Sequence, residues 1–215
     1  MAKLYFRYGA MGSAKTLNLL AVAHNYQQQG KKILLIKPAL EDRFGQNTIA
    51  SRAGLEAQAD LLLKAGDTIH ESQLKNVSCL LVDEVQFLNK ELIEQLRFIS
   101  TNYDIPVICY GLRTDFSGHL FEGSKRLFEL ADTLEEIKTT CTKCNRKATM
   151  NLRLCNGKAT LEGPSVMLGA EETYIPVCFA CYQQQLDSAT EKKFSAAPTP
   201  TFEKSLNSIE LATQG

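Results

Sequence analysis

The sequence lacks three features that would place it in common functional classes. Its charges balance, with 24 basic and 24 acidic residues, whereas proteins that bind nucleic acid through phosphate contacts usually carry a basic excess. It contains no run of about 18 apolar residues, so we expect no membrane-spanning helix. Its first segment, "MAKLYFRYGA", has no secretory apolar stretch and enters a strand-like pattern at once. We therefore expect a cytoplasmic protein with no membrane and no nucleic-acid partner.

What the sequence does contain is a regular alternation of strand-like and helix-like segments. With 215 residues, 44% of them apolar, it is long enough for one sizeable domain and a small appendage. In chain order the segments are the strand "LYFRY", the helix "TLNLLAVAHNYQQQG", the strands "KKILLIKP" and "SCLLVDEVQF", the helix "KELIEQLRFIS" and the strand "IPVICYGL". This alternation predicts an α/β domain with a parallel sheet over residues 1–138. Such sheets bind their ligands beyond the carboxyl ends of the strands.

The stretch Gly9–Thr16, "GAMGSAKT", nearly matches the phosphate-binding pattern G-x-x-x-x-G-K-[ST]. It follows a strand and opens a helix, where backbone N–H groups and the helix dipole hold an anion. Lys15 would reach the β- and γ-phosphates, and the hydroxyl of Thr16 would bind Mg²⁺. Ala14 replaces the second glycine, which would cost about 1–2 kcal/mol in a left-handed backbone and almost nothing in a helical one. A glycine-rich turn that caps a helix without a ligand is the alternative interpretation.

Two carboxylates, Asp83 and Glu84, end the apolar segment "LLVDEVQF". An acidic residue at the end of such a strand is the usual companion of a phosphate loop, because Asp anchors Mg²⁺. Asp83 is therefore predicted to serve the metal, which leaves Glu84 to take a proton or to orient a nucleophile. Alternation along a strand would send the two side chains to opposite sides.

Four cysteines form two C-x-x-C pairs, "CTKC" with Cys141 and Cys144 and "CFAC" with Cys178 and Cys181. Two such pairs predict a structural Zn²⁺ held by four thiolates. A redox pair is disfavoured, because neither motif is expected to open a helix in a thioredoxin-like unit. We assign residues 139–186 to a small zinc-binding domain. The remaining residues, 187–215, are polar and broken by prolines, and we predict that they form a disordered tail.

These elements, in this order, resemble the thymidine kinases of the bacterial and cytosolic class. The segments that carry the resemblance are "YGAMGSAKT", "EDRFG", "LVDEVQFL", "CYGLRTDFSGHLFEGS", "CTKCNRKATM" and "ETYIPVCFACY". The resemblance implies a RecA-like P-loop domain joined to a zinc-held lasso that closes over the nucleoside. It implies transfer of the ATP γ-phosphate to the 5′-hydroxyl of thymidine, which gives dTMP. A homotetramer and feedback inhibition by dTTP are further implications.

The resemblance also assigns roles to residues, with Glu84 as the catalytic base. The implied ATP contacts are Gly9, Ala10, Met11, Gly12, Ser13, Ala14, Lys15, Thr16, Glu41, Asp42, Arg43, Asp83, Glu84, Val85 and Gln86. The implied thymidine contacts are Met11, Phe87, Leu112, Phe116, Phe121, Ser165, Val166, Met167, Leu168, Gly169 and Tyr174. The apolar members of the second set also fit an ordinary core. Asn151 stands where some relatives have a threonine near the methyl group of the base.

Two other functions fit parts of the sequence. The first is a P-loop ATPase motor with a zinc ribbon that binds nucleic acid, in which Glu84 would position water. Three observations oppose it: the neutral net charge, the lack of a second motor domain, and the lack of a basic stripe near the cysteine pairs. The second is a zinc-ribbon binding protein with a degenerate loop, which would not bind ATP–Mg²⁺. An assay of deoxynucleosides with ATP, scored for 5′-monophosphate, separates these readings.

Overall fold

The computed structural model of the protein describes residues 1–39, 47–163 and 172–190. In chain order, its strands and helices are β1 (Leu4–Tyr8), α1 (Lys15–Gln28), β2 (Lys32–Pro38), β3 (Thr48–Ala50), β4 (Glu56–Gln58), β5 (Leu61–Leu63), β6 (Val77–Val82), α2 (Lys90–Asn102), β7 (Val107–Gly111), α3 (Glu122–Leu130), β8 (Thr133–Glu136), β9 (Met150–Cys155), β10 (Lys158–Ala159), β11 (Glu172–Val177) and α4 (Phe179–Thr190). Short 3-10 turns span Glu71–Leu74 and Val85–Phe87.

The main sheet has six strands in the order β5-β2-β6-β7-β1-β8, and every pairing in it is parallel. Strand β7 is buried along its whole length, as expected for a strand covered by helices on both faces. Helix α1 packs on one face through Leu19 and Leu20. Helices α2 and α3 pack on the other face, for example through Leu96 and Leu127. The predicted parallel α/β fold is confirmed.

Local signals in the sequence set the limits of the helices. Asn89 precedes α2 and accepts a hydrogen bond from the backbone N–H of Leu92 at 3.3 Å, which satisfies one of the free donors of the first turn. Beyond the end of α1, Gly30 has a φ of 67°. Glycine tolerates this left-handed conformation without penalty, so it stops the helix.

A second, antiparallel sheet follows the main one, with the order β10-β9-β11. Together with α4 it surrounds a small core of its own, to which Leu152, Val177 and Tyr182 contribute. We call the described residues from 139 onward the cysteine module. The predicted tail overlaps α4 over residues 187–190, and its remainder lies outside the described residues. A short hairpin of β3 and β4 completes the strands of the described chain.

Three segments that the sequence analysis predicted to be functional follow parallel strands and meet at one edge of the sheet. The phosphate-loop sequence follows β1, Asp83 and Glu84 follow β6, and Leu112 follows β7, which lies between the other two strands. The carboxyl ends of these strands therefore define one crevice, as the sequence predicted. Within the described parts of the chain, no helix is long and apolar enough to cross a membrane.

Candidate active site

The phosphate-loop sequence forms a turn that curls around the side chain of its own lysine. Lys15 is 8% exposed, and its Nζ donates to the carbonyl of Ala10 at 2.9 Å, to Ser13 Oγ at 3.3 Å and to the carbonyl of Gly9 at 3.4 Å. These acceptors are neutral. A phosphate at the loop would offer the ammonium group a charged and therefore stronger partner.

The sequence left two backbone conformations open for Ala14, left-handed or helical, and the structure shows the left-handed one, which costs more for alanine. Its φ of 61° and ψ of 29° lie in the left-handed region, immediately before α1. The backbone is thus the one that the usual glycine would adopt without penalty. Alanine adopts it at a cost of about 1–2 kcal/mol, so the loop keeps the glycine-like shape in spite of the substitution.

Thr16 and Asp83 meet between α1 and the end of β6. The hydroxyl of Thr16 donates to Asp83 at 3.1 Å and 3.3 Å from the two carboxylate oxygens. Burial raises the pKa of Asp83 to about 7, and the neighbouring charge of Glu84 adds to the effect, while the hydrogen bond from Thr16 opposes it. A hydroxyl beside a carboxylate is the oxygen pair that P-loop proteins present to Mg²⁺. The residues present therefore fit that ion.

Glu84 departs from the strand geometry that the sequence suggested. Strand β6 ends at Val82, and Glu84 has a left-handed backbone with a φ of 47°. The prediction that strand alternation separates Asp83 from Glu84 was wrong, because the chain turns there instead. The turn leaves Asp83 6% exposed and Glu84 half-buried. The turn therefore places Asp83 in the interior and leaves the neighbouring Glu84 partly exposed to solvent.

The residues after Glu84 enter the protein interior. Val85 is fully buried and Gln86 is 2% exposed, so a nucleotide contact in this segment would use their backbone atoms. The side chain of Gln86 donates from Nε2 to Glu84 Oε2 at 2.6 Å. Its Oε1 accepts from the backbone N–H of Leu112 at 3.0 Å.

Aromatic residues line the wall beyond β7. The rings of Phe87 and Phe121 meet edge to face with centroids 5.7 Å apart. Phe116 is 4% exposed, its ring lies 6.3 Å from that of Tyr174, and the guanidinium of Arg153 covers it at 4.8 Å. The ring of Phe116 is therefore almost completely enclosed by protein groups. Leu112 and Met11, the other predicted wall residues among those described, are half-buried.

Two side chains of the cysteine module, those of Asn151 and Tyr182, bind backbone groups of the P-loop domain. Asn151 accepts from the backbone N–H of Met11 at 2.8 Å and donates to the carbonyl of Thr114 at 3.0 Å. Tyr182 donates its hydroxyl to the carbonyl of Phe116 at 2.6 Å. Sequence reasoning assigned neither side chain this role. Asn151 was expected near a base methyl group, whereas its amide is used on protein groups.

Arg113 supports the same junction. Its guanidinium donates to the carbonyl of Thr149 at 2.9 Å. Here the side chain belongs to the P-loop domain and the backbone group to the cysteine module. The segment after β7 is therefore held from both directions.

The four paired cysteines converge, with all their sulfurs within 4.8 Å of one another. Cys144 and Cys178 lie 3.6 Å apart, close to the roughly 3.8 Å edge of a tetrahedron with zinc–sulfur bonds of about 2.3 Å. Burial acts to raise the pKa of Cys141, but backbone N–H groups, that of Lys143 among them, lower it to about 6. These donors favour the thiolate that a metal requires. The residues present therefore fit a zinc ion.

The second C-x-x-C pair lies at the start of a helix, since α4 begins directly after Cys178. The strand before it, β11, is antiparallel to β9, so the surroundings are not the βαβ unit of thioredoxin-like redox motifs.

Two groups of predicted contacts lie outside the described residues. They are Glu41, Asp42 and Arg43 of the predicted ATP contacts, and Ser165, Val166, Met167, Leu168 and Gly169 of the predicted thymidine contacts. Their assignments stay predictions.

Comparison with known proteins gives one consistent result. The family model described as "Thymidine kinase" matches residues 2–182. The chain is 46% identical over 181 residues to the thymidine kinase of Lactococcus lactis, covering 83% of this chain and 95% of that relative. It is 44% identical over 188 residues to that of Lactobacillus acidophilus, covering 83% and 94%. Among solved structures, the Pif1 helicase of Candida albicans aligns with a TM-score of 0.37 and 13% identity, over 63% of this chain and 36% of that chain, a likeness too distant to bear on fold or function.

The left-handed backbone of Ala14 predicts an unusual response to glycine. Ala14→Gly should stabilise the ligand-free protein by about 0.5–1 kcal/mol, because relief of strain outweighs the added freedom of the unfolded chain. Ala21, exposed within α1, provides the matched control, and Ala21→Gly should destabilise by about 0.5–1 kcal/mol. Urea unfolding of both variants measures the difference. Two losses of equal size would contradict the strained conformation.

The raised pKa of Asp83 predicts a pH-dependent stability. Between its ordinary pKa and about 7, the folded protein holds a proton that the unfolded chain releases, so stability falls as pH rises through this window. Asp83→Asn removes that proton site. Without Mg²⁺, the stability of the variant relative to wild type should therefore increase by up to about 1.4 kcal/mol per pH unit between pH 4 and 7. Urea unfolding at several pH values measures this, and parallel curves for the two proteins would refute it.

Proposed function

The chain belongs to the thymidine kinase family, and on this premise we propose that it transfers the γ-phosphate of ATP to the 5′-hydroxyl of thymidine. The products are dTMP and ADP. Beyond the family match, the observation that carries the proposal is the placement of Glu84. Glu84 follows β6 directly after Asp83, the residue that binds Thr16, and its partner Gln86 connects it to the backbone of Leu112 at the end of β7.

Lys15 and the loop backbone are the proposed ligands of the ATP phosphates. On binding, the ammonium of Lys15 would exchange its carbonyl and hydroxyl acceptors for phosphate oxygens. The pair formed by Thr16 and Asp83 would hold Mg²⁺, which when bound neutralises the charge that develops on the phosphate oxygens. Deprotonation of Asp83 would then be favoured, because a nearby cation stabilises the carboxylate.

Glu84 is the proposed general base. The 5′-oxygen of thymidine attacks the γ-phosphorus, the bond from that phosphorus to the bridging oxygen of ADP breaks, and the hydroxyl proton passes to the Glu84 carboxylate. Phosphoryl transfer has a loose transition state, so we expect the carboxylate mainly to orient the hydroxyl and to accept its proton late. The hydrogen bond from Gln86 Nε2 holds one oxygen of this carboxylate.

The thymine is proposed to lie against the aromatic wall that Phe116, Phe87 and Phe121 form. Phe116 is fixed from behind by Arg153 and at its carbonyl by Tyr182, so its ring is a rigid surface. Apolar side chains around the thymine would also keep water away from the reacting phosphate. The four cysteines would hold Zn²⁺ in a structural role, since all four sulfurs are used as ligands and no position stays open for substrate.

Some expected properties rest on the family resemblance and are proposed with it. They are feedback inhibition by dTTP, assembly as a homotetramer and location in the cytoplasm. For dTTP the argument is chemical, because its base and sugar are those of thymidine and its triphosphate would extend toward the phosphate loop.

The decisive experiment is an assay of purified protein with ATP–Mg²⁺ and each of the four deoxynucleosides. Formation of dTMP with a strong preference for thymidine supports the proposal. ATP hydrolysis that depends on nucleic acid, with no nucleoside product, would favour a motor-type ATPase instead.

Removal of the proposed base tests the mechanism directly. Glu84→Gln keeps the size of the side chain but cannot accept a proton, and general bases typically contribute about 10²–10⁴-fold to the rate. We expect kcat to fall within that range while ATP and thymidine still bind, as measured by calorimetry. Glu94 is exposed on α2, and Glu94→Gln should change kcat by less than about two-fold. A near-normal kcat in Glu84→Gln, with chemistry shown to limit turnover, would remove Glu84 as the base.

The contact between Tyr182 and Phe116 gives a test of the junction. Tyr182→Phe deletes the hydroxyl that holds the Phe116 carbonyl and leaves a buried acceptor unsatisfied, which costs about 1–3 kcal/mol. We expect the thymidine KM to rise about 3- to 30-fold, with the ATP KM within two-fold. Tyr103, partly exposed at the end of α2, offers Tyr103→Phe as a control without effect. Equal changes in the KM values for thymidine and ATP would show that the contact does not act specifically on thymidine binding.

A further inference from the structure

The side chain of Gln86 forms a buried bridge between the proposed base and Leu112. We call Leu112 and the aromatic residues Phe87, Phe116 and Phe121 the nucleoside wall. Gln86 is 2% exposed. Its Nε2 donates to Glu84 Oε2 at 2.6 Å, and its Oε1 accepts from the backbone N–H of Leu112 at 3.0 Å. Both ends of one carboxamide are therefore used on two segments of the site that follow different strands, β6 and β7.

The two partners require the same orientation of the amide. The backbone N–H of Leu112 is a donor and needs the oxygen end, whereas the carboxylate of Glu84 is an acceptor and needs the NH₂ end. A flipped amide would place its oxygen against a carboxylate and its NH₂ group against a backbone donor. Glutamine supplies one donor and one acceptor at this distance, and glutamate or methionine does not.

Two glycines bring the backbones close enough for this bridge. A Cβ on Gly111 would lie 2.6 Å from Gln86 Oε1 and 2.9 Å from Val85 Cγ1. A Cβ on Gly123 would lie 2.6 Å from the carbonyls of Val85 and Leu88. The 3-10 turn Val85–Phe87 is thus clamped between the end of β7 and the first turn of α3. The position of Gln86 is fixed by backbone on both sides.

The other side of Leu112 is also held. Its carbonyl accepts from Ser124 Oγ at 2.5 Å, so both of its backbone groups are bound, one by Gln86 and one by α3. Glu84, by contrast, has the left-handed backbone described above, with a φ of 47°. Gln86 supplies the carboxylate of Glu84 with a charge-assisted hydrogen bond, which is of the stronger kind.

We propose that Gln86 is a positioning residue, which aims the carboxylate of Glu84 at the 5′-hydroxyl and fixes the distance from Glu84 to the nucleoside wall at Leu112. The proposal rests on the proposed kinase function. It differs from the ATP contact that the resemblance assigned to Gln86, because the side chain is enclosed by protein. A displacement of about 1 Å in a catalytic group can cost about 100-fold in rate, so the bridge should act on kcat.

Two substitutions separate the two ends of the bridge. Gln86→Glu keeps an acceptor for Leu112 but sets a carboxylate against Glu84. We expect kcat to fall about 10- to 100-fold, with the KM values for ATP and thymidine within about three-fold. Gln86→Met keeps the length of the side chain and loses both bonds, so kcat should fall similarly and the thymidine KM should also rise. Gln86→Met serves as the test on its own if Gln86→Glu fails to fold.

Gln95 on α2 provides a matched control. Its amide also bridges backbone groups, donating to the carbonyl of Ile69 and accepting from its N–H, both at 3.0 Å. It lies half-buried away from the site. Gln95→Glu should leave kcat and both KM values unchanged within about two-fold, which separates a loss of stability from a loss of positioning.

The wild-type assay keeps the two proposals distinct. If wild-type protein forms no dTMP, the kinase function fails before Gln86 is tested. If wild type is active and Gln86→Glu and Gln86→Met keep its kcat, the positioning role is refuted. If instead calorimetry without thymidine shows that ATP affinity falls at least ten-fold while kcat is kept, Gln86 is an ATP ligand and the inference is overturned.

Discussion

One buried amide, that of Asn151, joins the two halves of the active site. It is 4% exposed and binds the backbone N–H of Met11, in the phosphate loop, and the carbonyl of Thr114, beyond β7. Loss of this side chain would leave two backbone groups unsatisfied in the interior, at about 1–3 kcal/mol each. The phosphate-loop segment, the segment after β7 and β9 of the cysteine module therefore share one anchor.

The crevice around this anchor is built with backbone strain at two points. Ala14 and Glu84 are non-glycine residues with left-handed backbones, and each lies where the chain leaves the sheet edge. At Ala14 the conformation leads the loop into α1. At Glu84 it ends β6 in a turn that places two adjacent carboxylates in different environments. Such strain persists where the surrounding packing fixes the backbone, and here the buried main sheet and the Gln86 bridge do so.

Much of this arrangement was predictable, because it follows from local patterns. Apolar runs and helix stops gave the α/β fold, and parallel strands required that the phosphate loop and Asp83 share an edge. The spacing of the cysteine pairs predicted the cluster of four sulfurs that the structure shows. The bridging polar residues were not predictable, because their partners are far away in sequence. Gln86 and Leu112 are 26 residues apart, Tyr182 and Phe116 are 66, and Asn151 and Met11 are 140. Periodicity indicates that a polar residue is buried but not which group it binds.

The long-range hydrogen bonds of Asn151 and Tyr182 link the cysteine cluster to the P-loop domain. The module has a small core of its own, and small cores generally need a metal or another cross-link to be stable. Two side chains that bind the P-loop domain, those of Tyr182 and Asn151, lie close in the fold to the cysteines that a metal would hold. Tyr182 directly follows Cys181, and Asn151 lies in β9, which pairs with β11 just before Cys178. A metal that holds the four sulfurs thus also holds the side chains that reach Phe116 and Met11. The position of the Phe116 segment would then depend on the metal. The hydrogen bonds from Lys15 to Gly9, Ala10 and Ser13 lie within the phosphate loop and do not involve the cysteine module.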